Sequence, residues 1–375
     1  MRRGGIVSGT PNRHETSGRK MQNGFSLLEL LVAVAILLIV AGTVMSSMLG
    51  ITFSQQTVMN RTQVHSSVRN ATEMMQQEIG QAGRITSQSG LSLQQAVIVP
   101  SGSSSVTTTP NVLTTATVGA GTDSLFVGEQ LLVDPSANIS SGYNEETVTI
   151  TAVDYANHTI TATFSFSHAA NTPVLVLGGF ASGIVPPVTN SSGTTSKIFS
   201  GIGTIATDMT SATASDGTTL KLYGDVYGDG NMWYVVYKCS PNTNGTGTLY
   251  RYAVQDLLNG TAATLGNSKS LLLDNIYGTS GTTCFTYTTK DVPVTINGGS
   301  VTQTFVVNVA VTLTVQTQNL DLQTGQPQRE TKALLNIAPR NVFDAWQLAS
   351  APSGYTRTQP IPSNVLNNFL TATLQ

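Results

Sequence analysis

Hydrophobic and polar positions divide the chain into three patterns in succession. Residues 25–53 are apolar almost without interruption and hold one charged side chain, Glu29. From Ser54 to Gly83 the chain turns polar but keeps a period. Val64, Val68, Ala71, Met75, Ile79 and Ala82 recur every three or four residues, one stripe of an amphipathic helix. Gly83 is a C-terminal stop. A continuous helix from Phe25 to this point would run roughly 88 Å at about 1.5 Å per residue. Beyond residue 85, Val- and Thr-rich runs alternate between Gly, Ser, Asn and Pro breaks. They predict strands at 93–99, 112–118, 124–133, 147–153, 159–166, 173–178, 219–223, 232–238, 248–253, 283–288, 303–316 and 330–337. No βαβ rhythm is present. The expected class is α+β: a long N-terminal helix packed on an antiparallel β-rich head.

Length and charge sharpen this picture. The 375 residues suffice for a large core, yet only 10% are charged, against a usual ~25%. Ser, Thr, Asn, Gln and Gly must carry the polar surface, which favours an extracytoplasmic chain. Five basic residues (Arg2, Arg3, Arg13, Arg19, Lys20) and one acid (Glu15) precede Phe25. From there on, 13 basic residues face 19 acidic ones, a net charge of −6. A mildly acidic head is a poor general phosphate-binding surface, so no general nucleic-acid binding is expected.

Leu30–Leu49 alone reaches the ~20 residues that cross a bilayer, and the basic stretch before it keeps the short N-terminal part cytoplasmic. A cleaved signal peptide has a shorter apolar run, ending at a small-x-small site. A plain anchor accounts for the length but gives Glu29 no role, and an ionisable group in such a segment is functional by default.

The stretch GFSLLELLVAVAILLIVAG (24–42) resembles the processing and assembly motif of type IV pilins and pseudopilins. The resemblance implies that prepilin peptidase cuts between Gly24 and Phe25 and that Phe25 is then N-methylated. It implies that Glu29, fifth in the mature chain, meets the terminal amine of an adjacent subunit. A paired charge in an apolar filament core is far cheaper than a lone one. Two features depart from the pattern. A leader of 24 residues is long, although Met21 offers an alternative start; and the helix lacks the proline many major pilins carry, with Gly42 and Gly50 as other sources of looseness.

VRNATEMMQQEIGQAGR (68–84) resembles PilW-type minor pilins and, less closely, J-type pseudopilins of type II secretion. LKLYGDVYGDGNMWYVVYKCS, GTLYRYAV and a closing Arg340–Asn341 resemble PilW-type central strands and sheet edge. The implied organisation is a leader (1–24), a helix (25–84, with 25–53 in the membrane or filament core), a head (85–341) and an irregular tail (342–375). Residues 121–178 read as an inserted small β module. Implied partners are prepilin peptidase, other major and minor pilins and the inner membrane, with the head extracytoplasmic and, after assembly, on the pilus. A surface adhesin, favoured by the extra module, is the reading from another class; a DNA receptor is disfavoured by the acidic balance.

Little else in the sequence carries chemistry. Cys239 and Cys284 would most simply pair in an oxidising compartment, the alternative being two buried thiols. In DVYGDGN, the residues Asp225, Asp229 and Asn231 match part of a calcium loop. Tyr227 takes a ligand position, however, and Val236 stands where the closing Glu belongs. A tight turn is the simpler reading, with no cofactor expected. GIGTIA (201–206) lacks a strand–helix context. His168 reads as a structural turn histidine and His158 as an exposed turn residue; His14 lies in the leader and His65 on the helix. No GxSxG, HExxH or P-loop occurs, so an enzyme is not expected.

Overall fold

The computed structural model describes residues 26–86, 91–108, 110, 112–114, 125–135, 144–176, 178–199, 206–257, 265–296, 299–321, 324–351 and 358–372. The chain divides into two units, Met1–Thr57 and Val58–Gln375.

Helix α1 is Leu27–Gln81. Its portion in the first unit exposes an apolar surface all round, including Leu27, Leu31, Leu37 and Ile39. It is long and apolar enough to cross a membrane. Thr43 and Thr52 turn their hydroxyls back onto the carbonyls of Val40 (2.8 Å) and Met48 (2.9 Å). These hydroxyls thereby find acceptors within the helix and need none from lipid.

In the second unit, the stripe read from the sequence is the buried face of α1. Val68, Ala71, Met75, Ile79 and Ala82 are buried and Val64 packs beside them. They lie on a seven-stranded antiparallel sheet in the order 219–224, 233–240, 247–255, 269–276, 299–320, 285–296, with 327–337 also paired to 299–320. Side chains alternate across each strand. Leu222, Val235, Tyr237 and Cys239 face α1, while Tyr223, Tyr234, Val236 and Val254 face the opposite way.

A second seven-stranded sheet has its own core, centred on Leu91, Leu131, Ile150, Ile160 and Phe164. It includes the segment expected as a module over 121–178, but takes further strands at 91–93, 106–108 and 112–114. The sheet therefore starts at Leu91, because these short N-terminal strands pair with 159–164 and 173–176.

The segment 342–375, expected to be irregular, holds structure. Helix α2 spans Arg340–Ala349, burying Val342 and Ala345. A short strand, Thr358–Gln359, pairs in parallel with Gly179–Phe180. A π-helical turn at Val365–Phe369 follows. Ile361, Val365, Phe369 and Leu370 cover the sheet face opposite α1. The prolines of this segment, Pro352, Pro360 and Pro362, fall outside α2. The helical spacing of Val342, Ala345, Trp346 and Ala349 decides the local structure instead.

Candidate functional site

Glu29 lies in the first turn of α1 and is exposed, as are the apolar side chains around it. The helix ladder begins here, with Leu30 donating to the Ser26 carbonyl at 3.1 Å. Gly24 and Phe25, the expected cleavage and methylation positions, lie outside the described residues.

The other end of α1 is anchored by charge as well as by packing. Glu78 is buried on the sheet-facing side and accepts two hydrogen bonds from Arg251, from Nη2 to Oε1 at 2.7 Å and from Nε to Oε2 at 3.2 Å. The Tyr237 hydroxyl donates to Glu78 Oε2 at 2.5 Å. Burial, reinforced by the Glu78 carboxylate, pushes the Tyr237 phenol well above its ordinary pKa. Arg251 also contacts Tyr227. Breaking such a buried pair would leave one charge unmatched beneath the helix.

Past Glu78 the helix stops in a crossing of backbones. Gly83 has φ +81° and donates to the Tyr223 carbonyl at 2.9 Å, while its own carbonyl accepts from Phe180 at 2.9 Å. Asn341 Nδ2 donates to the carbonyls of Gln81 (3.1 Å) and Ala82 (3.4 Å), satisfying the last turn of α1. Arg84 lies 3.6 Å from the buried Asp225 carboxylate. The QAGR, DVYGDGN and Arg340–Asn341 stretches, far apart in sequence, thus meet at one joint.

The candidate calcium residues form a turn at this joint. Asp225 Oδ1 accepts from the Asp229 amide (3.0 Å), and Asp229 Oδ1 accepts from the Asn231 amide (3.0 Å). Trp233 Nε1 donates to Asp229 Oδ2 at 3.3 Å. Gly228 and Gly230 supply the positive φ angles that the reversal requires. Among the described residues, no three His, Cys, Asp or Glu side chains gather as a metal site.

Cys239 and Cys284 form a disulfide with Cα atoms 6.5 Å apart, inside the core that faces α1. His168 is buried, and its Nε2 lies 2.7 Å from Glu146 Oε1. Glu146 also accepts from the Ser165 and Phe166 amides, so the pair ties down that turn. His158 is half-buried in a turn, with φ 57°. His65 pairs with Glu330. Of GIGTIA, residues 201–205 lie outside the described residues.

Residues 19–45 match the family model of the prokaryotic N-terminal methylation motif. The chain carries a prepilin motif. The prepilin motif supports a type IV pilin-like or pseudopilin chain, with a structural rather than an enzymatic part to play. It is consistent with the long apolar helix that begins within it. No curated protein and no solved structure matches the chain.

Sequence reasoning missed Glu78, Arg251 and Tyr237. The signal for Glu78 was present. It continues the spacing of Ala71 and Met75 and precedes Ala82 by four, so it falls on the buried arc despite its charge.

Proposed function

We propose that this chain is a minor pilin of a type IV pilus, of the PilW type, with a pilin fold. The observation that carries the reading is the prepilin motif at residues 19–45 leading directly into α1. Prepilin peptidase cuts after Gly24, and the new terminus at Phe25 is N-methylated. The first half of α1 holds the chain in the inner membrane and then packs with other pilins in the filament. Glu29 neutralises a terminal amine of the neighbouring subunit and sets the axial register. The head stays extracytoplasmic and serves to initiate or cap assembly, supporting motility, adhesion or DNA uptake. The likeness of VRNATEMMQQEIGQAGR to PilW-type proteins is the reason for preferring that type to a J-type pseudopilin.

Mass spectrometry of the N-terminus in sheared filaments and in membranes tests this. A peptide beginning at N-methylated Phe25 in the sheared fraction is the expected result. The same peptide confined to membranes favours a secretion pseudopilus or a priming complex. An uncut chain retaining Arg19 and Lys20 overturns the pilin reading.

The second sheet supports an additional binding role, because its separate core makes it an appendage to the helix–sheet body. Loss of surface adherence with filaments intact, on deleting this sheet, would be its signature.

A further inference from the structure

A cavity of about 510 Å³ opens between α1 and the strand pair 299–320 and 327–337. That volume is within the ~300–1,000 Å³ usual for ligand sites. Val58, Arg61 and His65 line it from the helix, at spacings of three and four that set them on one face. Thr317, Arg329 and Glu330 line it from the strands. All of these residues belong to the second unit.

Two guanidiniums in this lining lack a carboxylate. The ion pairs of α1 join His65 to Glu330, Arg69 to Glu73 and Glu78 to Arg251; among the described residues none takes Arg61 or Arg329. Glu330, the acid of the lining, is bonded to His65 Nδ1. Asp321, outside the lining, accepts from the Gln328 side chain at 2.8 Å. The Arg329 guanidinium carbon sits 3.5 Å from the centre of the Tyr277 ring, and its Nε lies 3.5 Å from Gln316 Oε1. A ring face and one neutral oxygen thus hold it in place. The rest of its N–H fork has no acceptor among the described residues. The lining is therefore locally basic, against the −6 balance of the chain beyond Phe25.

Apolar side chains surround these arginines. Val58 is exposed, as are Met59 and Leu320. Leu320 pairs with Pro327, the residue before the Gln328 that lines the cavity. Free arginines among exposed apolar groups complement a bilayer surface, where phosphates lie over hydrocarbon. Arg61 follows Phe53, the end of the apolar run, by eight residues, which is at most roughly 28 Å of chain. The cavity is thereby tethered within reach of any bilayer that holds residues 25–53.

We infer that this cavity binds the phosphate headgroup of an anionic phospholipid. Arg61 and Arg329 donate to the phosphate oxygens, for which their planar forks are suited. Val58 and Val64 pack against the first apolar atoms beneath the headgroup. The inference rests on the reading of residues 25–53 as membrane-borne, but not on cleavage at Gly24 or on assembly.

Native mass spectrometry of the full-length chain in a neutral detergent tests this, with phosphatidylglycerol, phosphatidylcholine, inorganic phosphate and a single-stranded oligonucleotide as probes. Phosphatidylglycerol is held at least about tenfold more tightly than phosphatidylcholine. Arg61→Gln and Arg329→Gln each weaken it about tenfold. Glu330→Gln, which removes the acid of the lining, strengthens it about threefold. A purely structural role for these residues would not give opposite signs. If Arg329→Gln fails to fold without its stack on Tyr277, Arg61→Gln, on the exposed helix surface, decides alone. The inference is overturned if the two lipids bind alike, if the arginine variants bind as the parent does, or if Glu330→Gln weakens binding. It is also overturned if inorganic phosphate binds as tightly as the lipid, for then the free anion is the ligand, or if the oligonucleotide does, for then it is nucleic acid. Lipid binding as expected on a chain uncut at Gly24 overturns the pilin reading and leaves this inference standing; a chain cut at Gly24 without such binding does the reverse.

Discussion

Glu78 on α1 and Arg251 on the sheet form a two-point ion pair buried beneath the helix, with contacts at 2.7 and 3.2 Å. Removing one partner strands the other. Arg251→Met is expected to destabilise the second unit by about 3–5 kcal/mol, whereas the double change Glu78→Leu with Arg251→Met recovers most of the loss. Urea denaturation of the single and double variants measures this coupling.

Gly183 lies against the end of α1 so closely that an added Cβ would sit 2.2 Å from the Gly83 Cα. Backbone cannot yield as a side-chain tip can. Gly183→Ala is expected to cost at least about 1–3 kcal/mol, the range of overpacking. It is seen as a lower denaturation midpoint with an unchanged slope.

Glu129 is buried, and its Oε2 accepts from the Phe126 amide at 3.2 Å. Burial pushes it up from 4.5 to about 8. A carboxyl with a raised folded pKa contributes its full stability below the unfolded value. That contribution is lost as pH climbs from about 4.5 to 8, because the unfolded chain gives up the proton first. Asp256, hydrogen-bonded to Tyr223 and raised by burial to about 6, acts in the same direction at lower pH. Glu129→Gln is expected to flatten the fall between pH 6 and 8. Over that window the effect is about 2.7 kcal/mol at most, at about 1.36 kcal/mol per pH unit. Thermal melts of both proteins across that range test the sign.

The disulfide closes a loop with a sequence separation of 45. Cys239→Ala with Cys284→Ala is expected to lose about 4 kcal/mol in the chain-entropy model. Reductant should reproduce this in the parent chain and have no effect on the double variant.

Calcium is expected to leave the melting temperature unchanged, since Asp225 and Asp229 already serve backbone and Trp233 donors in the turn. A rise on adding calcium and its reversal by chelator would restore the metal reading.

What the sequence disclosed follows from what periodicity can encode. The stripe from Val64 to Ala82 was legible because every third or fourth position meets the sheet. Strands such as 219–224 and 247–255 were legible from their β-branched and aromatic content. Lys269–Ile276 was not, since its three consecutive leucines break the alternation. Strands of two or three residues, such as Gly179–Phe180, are too short to carry a period. The place of Glu78 on the buried arc was readable, but its partner was not, because Arg251 lies far away in sequence. The stacking of Phe369 on Tyr234 was equally hidden, since it joins positions far apart in sequence.

One late contact governs when the head becomes complete. The Gln359 side chain clips the Gln130 backbone from both sides, accepting from its amide at 2.8 Å and donating to its carbonyl at 2.7 Å, across 229 positions. Nearby, Asn364 reaches Asp256. A fastening across so many positions forms late, because the loop it closes must first be brought together. Both sheets can form from pairings nearer in sequence, with the Gln359 clip added to the Phe126–Phe180 contact afterwards. A chain cut short near residue 351 would carry every assembly element of α1 and still present an unsealed head. One short segment thus clips the second sheet with Gln359 and covers the first with Ile361, Val365 and Phe369, so its loss would loosen both at once.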